Sequence, residues 1–340
     1  MNIRDIAQKA GVSKSTVSRV LNDADGVSEK TRELVLQVVQ ENNFAPSAMA
    51  RGLSQQGSCV IGVVLPDVDN SFFGKITQGI DDVLTNTEYT MILCCTDNNP
   101  ERELRALYTL KKQRVRGVLI TSSADYCEAE DASAIKEALA DLGTPVILID
   151  RTLKASSWDG VYSDNLNGAY TAVKAMIDHG FTRIGAFISD MVLQLGQERY
   201  QGFKQAMNEA GLPICEDYLC LERYPLSIDA VYERACAMID SGHMPEAVFL
   251  GNAIITNGFY KAIFSRGLLP GRDVHCVGFD YSECVDIMQL PYSFLERNLK
   301  LLGKTGIQML LDHFDNPLSV RREYIIPSTI HVDDSLSRGE

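Results

Sequence analysis

The stretch GVSKSTVSRVLN, residues 11–22, gathers side chains able to read a polyanion. At helical spacing its apolar positions turn inward and leave Lys14, Ser15, Ser18, Arg19 and Asn22 outward. A guanidinium at Arg19 can donate two parallel bonds to guanine O6 and N7, and hydroxyls near a helix start suit phosphate oxygens. Lys14, as an ammonium, serves either role. Asn2, Ser13, Thr16 and Thr31 stand at or near expected helix starts and complete the candidate DNA-contacting set. Periodicity alone is equally compatible with the solvated face of a small helical bundle.

A second group of polar residues follows apolar runs further along. After CVIGVVL comes PDVDNSFF, where Asp67 and Asn70 can hydrogen-bond hydroxyls and Phe72 or Phe73 can stack on the apolar face of a sugar or base. Ser122, Asp150, Arg151 and Asp164 follow later runs in the same way. For each, a plain turn or strand-end role is the alternative. Signatures of catalysis fail. GKT at 303–305 resembles a P-loop lysine, but Asn298 stands where the first glycine is needed, and residues 299–312 read as one amphipathic helix. GxSxG, HExxH and GxGxxG do not occur. The five histidines are scattered, and the nine cysteines have no CxxC spacing. The expectation is therefore no catalytic residue, no metal, no cofactor, and buried free thiols.

These candidates need elements to hold them. Ile3, Ile6, Ala7 and Ala10 follow the helical pattern, with Asn2 as cap and Gly11 as stop. Ser13 can cap a second helix over 14–21, and Ser28 a third with Thr31, Leu34, Val35, Val38 and Val39 inward. Three short helices with a tight first turn make a helix-turn-helix candidate. PSAMARGL, 46–53, is helix-forming in type but too short to be stable alone. From Cys59 the grammar changes. Apolar β-branched runs alternate with amphipathic helices, in a first series of five strands and a second of about four. Such runs indicate parallel sheets covered on both faces, a doubly wound fold with ligands at the carboxyl ends of the strands.

At 340 residues there is room for two or three domains. The net charge of −13 argues against a nucleic-acid partner until its distribution is read: residues 1–58 carry +1 and the remainder −14. The first twenty residues are charged throughout, and no run of about 18 apolar residues occurs, so a cytoplasmic protein without membrane contact is expected.

IRDIAQKAGVSKSTVSRVLN resembles the DNA-binding headpiece of the LacI/GalR family of bacterial transcription regulators, and NNFAPSAMARGL resembles its hinge segment. VIGVVLPDVDNSFFGKITQGI, RVRGVLI, PVILIDR, SDNLNGAYTAVKAMIDHGFTRIGAF, ERYQGFKQAM and VGFD follow in family order, so the likeness covers essentially the whole chain. It implies that Ser47–Leu53 folds into a helix when two subunits pair over the minor groove, with Ser47, Met49 and Ala50 at the DNA and Leu53 wedged between base steps. It further implies an effector site holding Arg199, Asp280 and Asn252, with Tyr224 where an aromatic often covers the ligand. Two departures bear on ligand identity. Family members often carry Asn-Asp where this chain has Asn252-Ala253, and Gln where it has Glu296.

The expected architecture is an α/β chain: a three-helix headpiece (1–45), a hinge helix and linker (46–57), and a two-lobed, periplasmic-binding-protein-like core (58–333) with a short tail. The first lobe is expected to take 58–160 plus 292–320, the second 161–291 plus 321–333. The expected function is a homodimeric, sequence-specific repressor reading a pseudo-palindromic operator, controlled by a small effector of sugar type. A non-catalytic small-molecule receptor and an enzyme on a doubly wound fold are the rivals. VDDSLSRGE lacks heptads, so no coiled-coil tetramer is expected.

Overall fold

Asn2 opens the first helix, α1 (Ile3–Lys9), through a capping box. Its Oδ1 accepts from the backbone N–H of Arg4 at 2.8 Å and of Asp5 at 3.2 Å, while Asp5 Oδ2 accepts from the Asn2 N–H at 2.8 Å. These bonds satisfy N–H groups that a helix start leaves orphaned. Gly11, at φ +64°, ends the turn in a conformation that costs other residues energy. Ser13 Oγ then accepts from Thr16 N–H at 3.1 Å at the start of α2 (Lys14–Leu21), and Ser28 Oγ from Thr31 N–H at 3.3 Å at the start of α3 (Glu29–Glu41). Ile6, Ala7, Ala10, Val17, Val20, Val35 and Val38 form the core of this small unit. Leu34, expected inward, is 45% exposed. It sits about 100° round the helix from Val35, on the flank of a stripe that two short partner helices cannot fully cover.

The computed structural model describes residues 2–21, 24–42, 58–127, 129–316 and 320–336. The expected hinge helix and linker, 46–57, lie outside the described residues. A larger unit begins at Val60 and contains two six-stranded sheets. Lobe 1 pairs β1 (Val60–Leu65), β2 (Thr90–Cys95), β3 (Gly117–Ile120), β4 (Val146–Ile149), β5 (Asp159–Ser163) and β11 (Glu323–Ile326) in the order β2-β1-β3-β4-β5-β11, all parallel. Lobe 2 uses β6 (Ile184–Ile188), β7 (Leu219–Leu221), β8 (Ala247–Leu250), β9 (His275–Gly278), β10 (Ser293–Arg297) and β12 (Ser328–His331) in the order β7-β6-β8-β9-β10-β12. Only the β10–β12 pairing is antiparallel. Both lobes repeat one winding, and β3, β4, β6 and β8 are buried at every position because helices cover both faces.

The division between lobes differs from the expected one. Strand β10 belongs to lobe 2 and β11 to lobe 1, the reverse of their assignments, and the first lobe extends through Ser163. The chain passes between lobes at Asp164, at Asn298 and at Pro327, which separates β11 from β12. Asp164 and Asn298 each cap the helix that follows, accepting from Asn167 and Leu301 N–H at 3.0 Å. Local hydrophobicity carries no information on which of two similar sheets an edge strand joins.

In lobe 1, α4 (Ser71–Leu84) lies against a late helix, Leu299–Asp315. Glycines let the two backbones meet: a Cβ on Gly79 would stand 2.2 Å from Lys300 O, and one on Gly303 2.2 Å from Ile76 O. Among the described residues no helix is long and apolar enough to cross a membrane.

Candidate effector cleft and DNA-reading face

The carboxyl ends of β1, β4, β6, β8, β9 and β10 open onto one cleft of about 1020 Å³ between the lobes. Lobe 1 contributes Asp67, Asn70, Phe72, Phe73, Tyr126, Asp150 and Arg151; lobe 2 contributes Asp190, Arg199, Asn252, Asp280 and Arg297. This is where a doubly wound sheet leaves room for a ligand.

Arg199, on the helix Gln194–Glu209, is 4% exposed. Its Nε donates to Asn165 Oδ1 at 3.0 Å, its Nη1 to Gly251 O at 2.8 Å, and its guanidinium lies 4.1 Å from the centre of the Phe279 ring. Burial, and then the neighbouring Arg297, lower its pKa to about 10, against the pull of Asp280, Asp150 and Asp190. Asp150 and Asp190 both hold positive φ, +66° and +63°, the first directly after strand β4 and the second two residues past the end of β6. Both are buried, in a backbone conformation that aspartate tolerates better than most residues. Asp190 accepts from Ser189 Oγ at 2.7 Å and from the Tyr126 hydroxyl of the opposite lobe at 2.6 Å. Burial raises the Tyr126 pKa, so the phenol stays a donor. Arg151 donates to Asn98 Oδ1 at 2.6 Å and packs 4.8 Å from the centre of the Tyr126 ring.

The smaller polar residues have local duties as well. Asn70 and Asn252 cap their helices by accepting from Phe72 and Ile255 N–H, at 3.0 and 2.9 Å. Asp67 accepts from Asp69 N–H at 2.8 Å. Phe72 and Phe73 meet edge to face at 4.9 Å; Phe73 sinks into the lobe 1 core while Phe72 is half-buried beside the cleft.

Four expected effector residues are not brought into the centre. Ser122 donates to the buried Glu103 at 2.6 Å, and Asp164 caps a helix; neither lines the cleft. Tyr224 is 45% exposed, and its neighbours Pro225 and Leu226 line the cleft instead. Glu296 borders the cleft, yet its carboxylate bonds His331 Nε2 at 2.8 Å on the antiparallel edge. The next residue, Arg297, points the other way, as strand alternation requires, and is the one inside. Sequence reading missed it, along with Asp190 and Tyr126. The Asp190 signal was present: RIGAFISD ends like PVILID, an apolar strand followed by aspartate.

On the N-terminal unit, Lys14, Ser15 and Arg19 are exposed along α2, with Thr16 and Ser18 half-buried beside them. Asn2 and Ser13 are helix caps, and Thr31 Oγ1 lies 2.8 Å from Ser28 Oγ. Asn22, Ser47, Met49, Ala50 and Leu53 lie outside the described residues.

Comparison with known proteins agrees with this two-part layout. Residues 2–47 match the family model "Bacterial regulatory proteins, lacI family", and residues 58–317 match "Periplasmic binding proteins and sugar binding domain of LacI family". The transcriptional repressor PurR of Pasteurella multocida is 31% identical over 313 residues, 92% of either chain. The ribose operon repressor of Haemophilus influenzae is 29% identical over 339 residues, 98% of either chain. Among solved structures, a lac repressor dimer bound to operator and an anti-inducer superposes with a TM-score of 0.85 over 99% of both chains, at 23% identity, a likeness of fold. With both models matched in order and most of the chain covered, this protein belongs to the LacI family of bacterial regulatory proteins.

Proposed function

We propose that this chain is a homodimeric transcriptional repressor whose operator affinity is set by a small polyhydroxylated effector, a sugar or sugar derivative, held between the core lobes. The observation that carries the reading is the cleft. Carboxylates, guanidiniums and aromatic faces from both lobes converge there, so a ligand that bonds both walls favours one relation between the lobes. Asp150 and Asp280 accept from hydroxyls, Arg199 donates to them, and Phe72 offers a ring for an apolar sugar face. In a dimer, two α2 helices carrying Arg19 and Lys14 read the half-sites of a pseudo-palindrome. Lobe movement then changes the affinity of the paired headpieces for the operator.

The protein acts by binding in this account, and turnover of a bound sugar is the outcome expected of a doubly wound enzyme instead. A thermal-shift screen of the full chain against sugars and their derivatives is the test. A ligand at 100 times its dissociation constant adds about 2.7 kcal/mol, enough to move the transition visibly. Stabilisation without turnover supports the reading; turnover, or silence from every sugar, counts against it.

A further inference from the structure

One cation in the cleft is already spoken for by the protein itself. Arg297 leaves the end of β10 with its guanidinium between Phe72 of lobe 1, 4.4 Å from the ring centre, and Phe279 of lobe 2, 5.4 Å away. Its Nε donates to Asp280 Oδ1 at 2.7 Å, its Nη2 lies 2.5 Å from the same oxygen, and its Nη1 stands 3.5 Å from Asp150 Oδ1 across the cleft. The side chain is 6% exposed, so this attraction is little screened by water. One internal cation thus faces two carboxylates that come from opposite lobes.

The other charges deep in the cleft, with Arg151 half-buried, are also partnered. Arg199 and Arg151 are held by neutral acceptors, Asn165, Gly251 O, Asn98 and Ser122 O, while Asp190 is held by the neutral donors Tyr126 and Ser189. Deep in the cleft three guanidiniums therefore stand against three aspartates, while the other charged lining residues, Asp67, Glu296, Lys300 and Lys75, are exposed to water. Lys75 is exposed and rests 5.2 Å from the centre of the Tyr281 ring, where water already solvates it. Asp150 keeps spare acceptor capacity, since its contact with Arg297 is at the limit of a hydrogen bond. Hydroxyl donors satisfy such a site without adding charge. A phosphate or carboxylate placed among these aspartates adds a buried like charge, which is strongly unfavourable.

We propose that Arg297 sets the charge of the ligand: it is a built-in counter-cation for Asp150 and Asp280, so the cleft takes an uncharged polyhydroxylated ligand and rejects its phosphorylated or carboxylated counterpart. This rests on the effector reading given above.

The test uses the full chain and matched sets of probes: aldopentoses and aldohexoses, their terminal phosphates, and their 2-amino derivatives. For the wild type, the uncharged member of a set binds at least about a hundredfold more tightly than its phosphate. Arg297→Gln weakens the uncharged member and shifts preference towards the amino sugar, whose ammonium replaces the lost cation, whereas Arg297→Lys retains the original order. A phosphate that binds the wild type as well as its parent sugar overturns the proposal. So does an unchanged charge preference in Arg297→Gln. A second arm needs no ligand: urea unfolding of Arg297→Gln, Asp280→Asn and the double variant. The double variant is expected to lose clearly less stability than the two single losses combined, because each single change strands a buried charge. Strict additivity overturns the counter-cation role whether or not any probe binds. If the coupling is present and no probe binds, the sugar reading fails and the pairing stands.

Discussion

Replacing Arg199 by methionine separates a ligand-reading arginine from a structural one. The pKa lowered to about 10 from 12.5 corresponds to roughly 3 kcal/mol against the charged form, and a buried group allows little discount for solvent. Methionine is of similar length and removes that penalty. It also removes the bonds to Asn165 and Gly251 O, each worth about 1.5–3 kcal/mol as a charge-assisted contact, and the packing of the guanidinium on Phe279. The change also leaves the Asn165 and Gly251 acceptors without this donor and three aspartates facing two guanidiniums, so a loss of about 2–3 kcal/mol remains. Arg199→Ala loses the same bonds and adds a cavity, for a total of about 3–5 kcal/mol. Urea denaturation followed by circular dichroism compares the two, and thermal shift with the screened effector reports binding. Arg199→Met should keep a cooperative fold while the effector-induced shift disappears. If methionine destabilises as much as alanine, or leaves effector binding intact, Arg199 is a structural pillar and the cleft assignment built on it is wrong.

Arg19→Ala is expected to weaken operator binding by about 1–3 kcal/mol per half-site and to relax preference at one base pair; equal weakening on random DNA makes Arg19 a phosphate contact instead. Gly79→Ala forces a Cβ to within 2.2 Å of Lys300 O and should cost lobe 1 about 1–3 kcal/mol in urea unfolding, so a neutral result means the helices separate freely. At pH 8 a thiol reagent should modify the exposed Cys59, Cys95 and Cys284 first and spare Cys220 and Cys276, whose thiols burial pushes up to about 11 and about 12; early labelling of Cys276, read by peptide mass, contradicts the lobe 2 packing.

Much of this architecture was legible because it is local. Asn2, Ser13 and Ser28 cap the helices they were expected to cap, and the runs VIGVVL, TMILCC, VILI and DGVYS are strands at nearly the residues read from their apolar pattern. What escaped depends on distant partners. The edge strands β11 and β12 are separated by one proline, and their opposite lobes follow from register with β5 and β10, which no local pattern encodes. Short β7, LCL, carries too few residues for a periodic signal. In the cleft, residues at strand ends were found as a class, but cap, turn and ligand roles draw on the same residue types. Asp164 and Ser122 make local bonds and do not line the cleft, and one step of strand alternation separates Glu296, bonded to His331, from Arg297.

The central claim is that what binds between the lobes governs what α2 reads. Operator titration of the full-length protein, with and without a saturating effector identified by thermal shift, measures it directly. An allosteric coupling of about 1–3 kcal/mol predicts an operator affinity changed roughly 5–150-fold, with the change abolished in Arg199→Met. An effector that binds and stabilises the core while operator affinity stays the same would contradict the account.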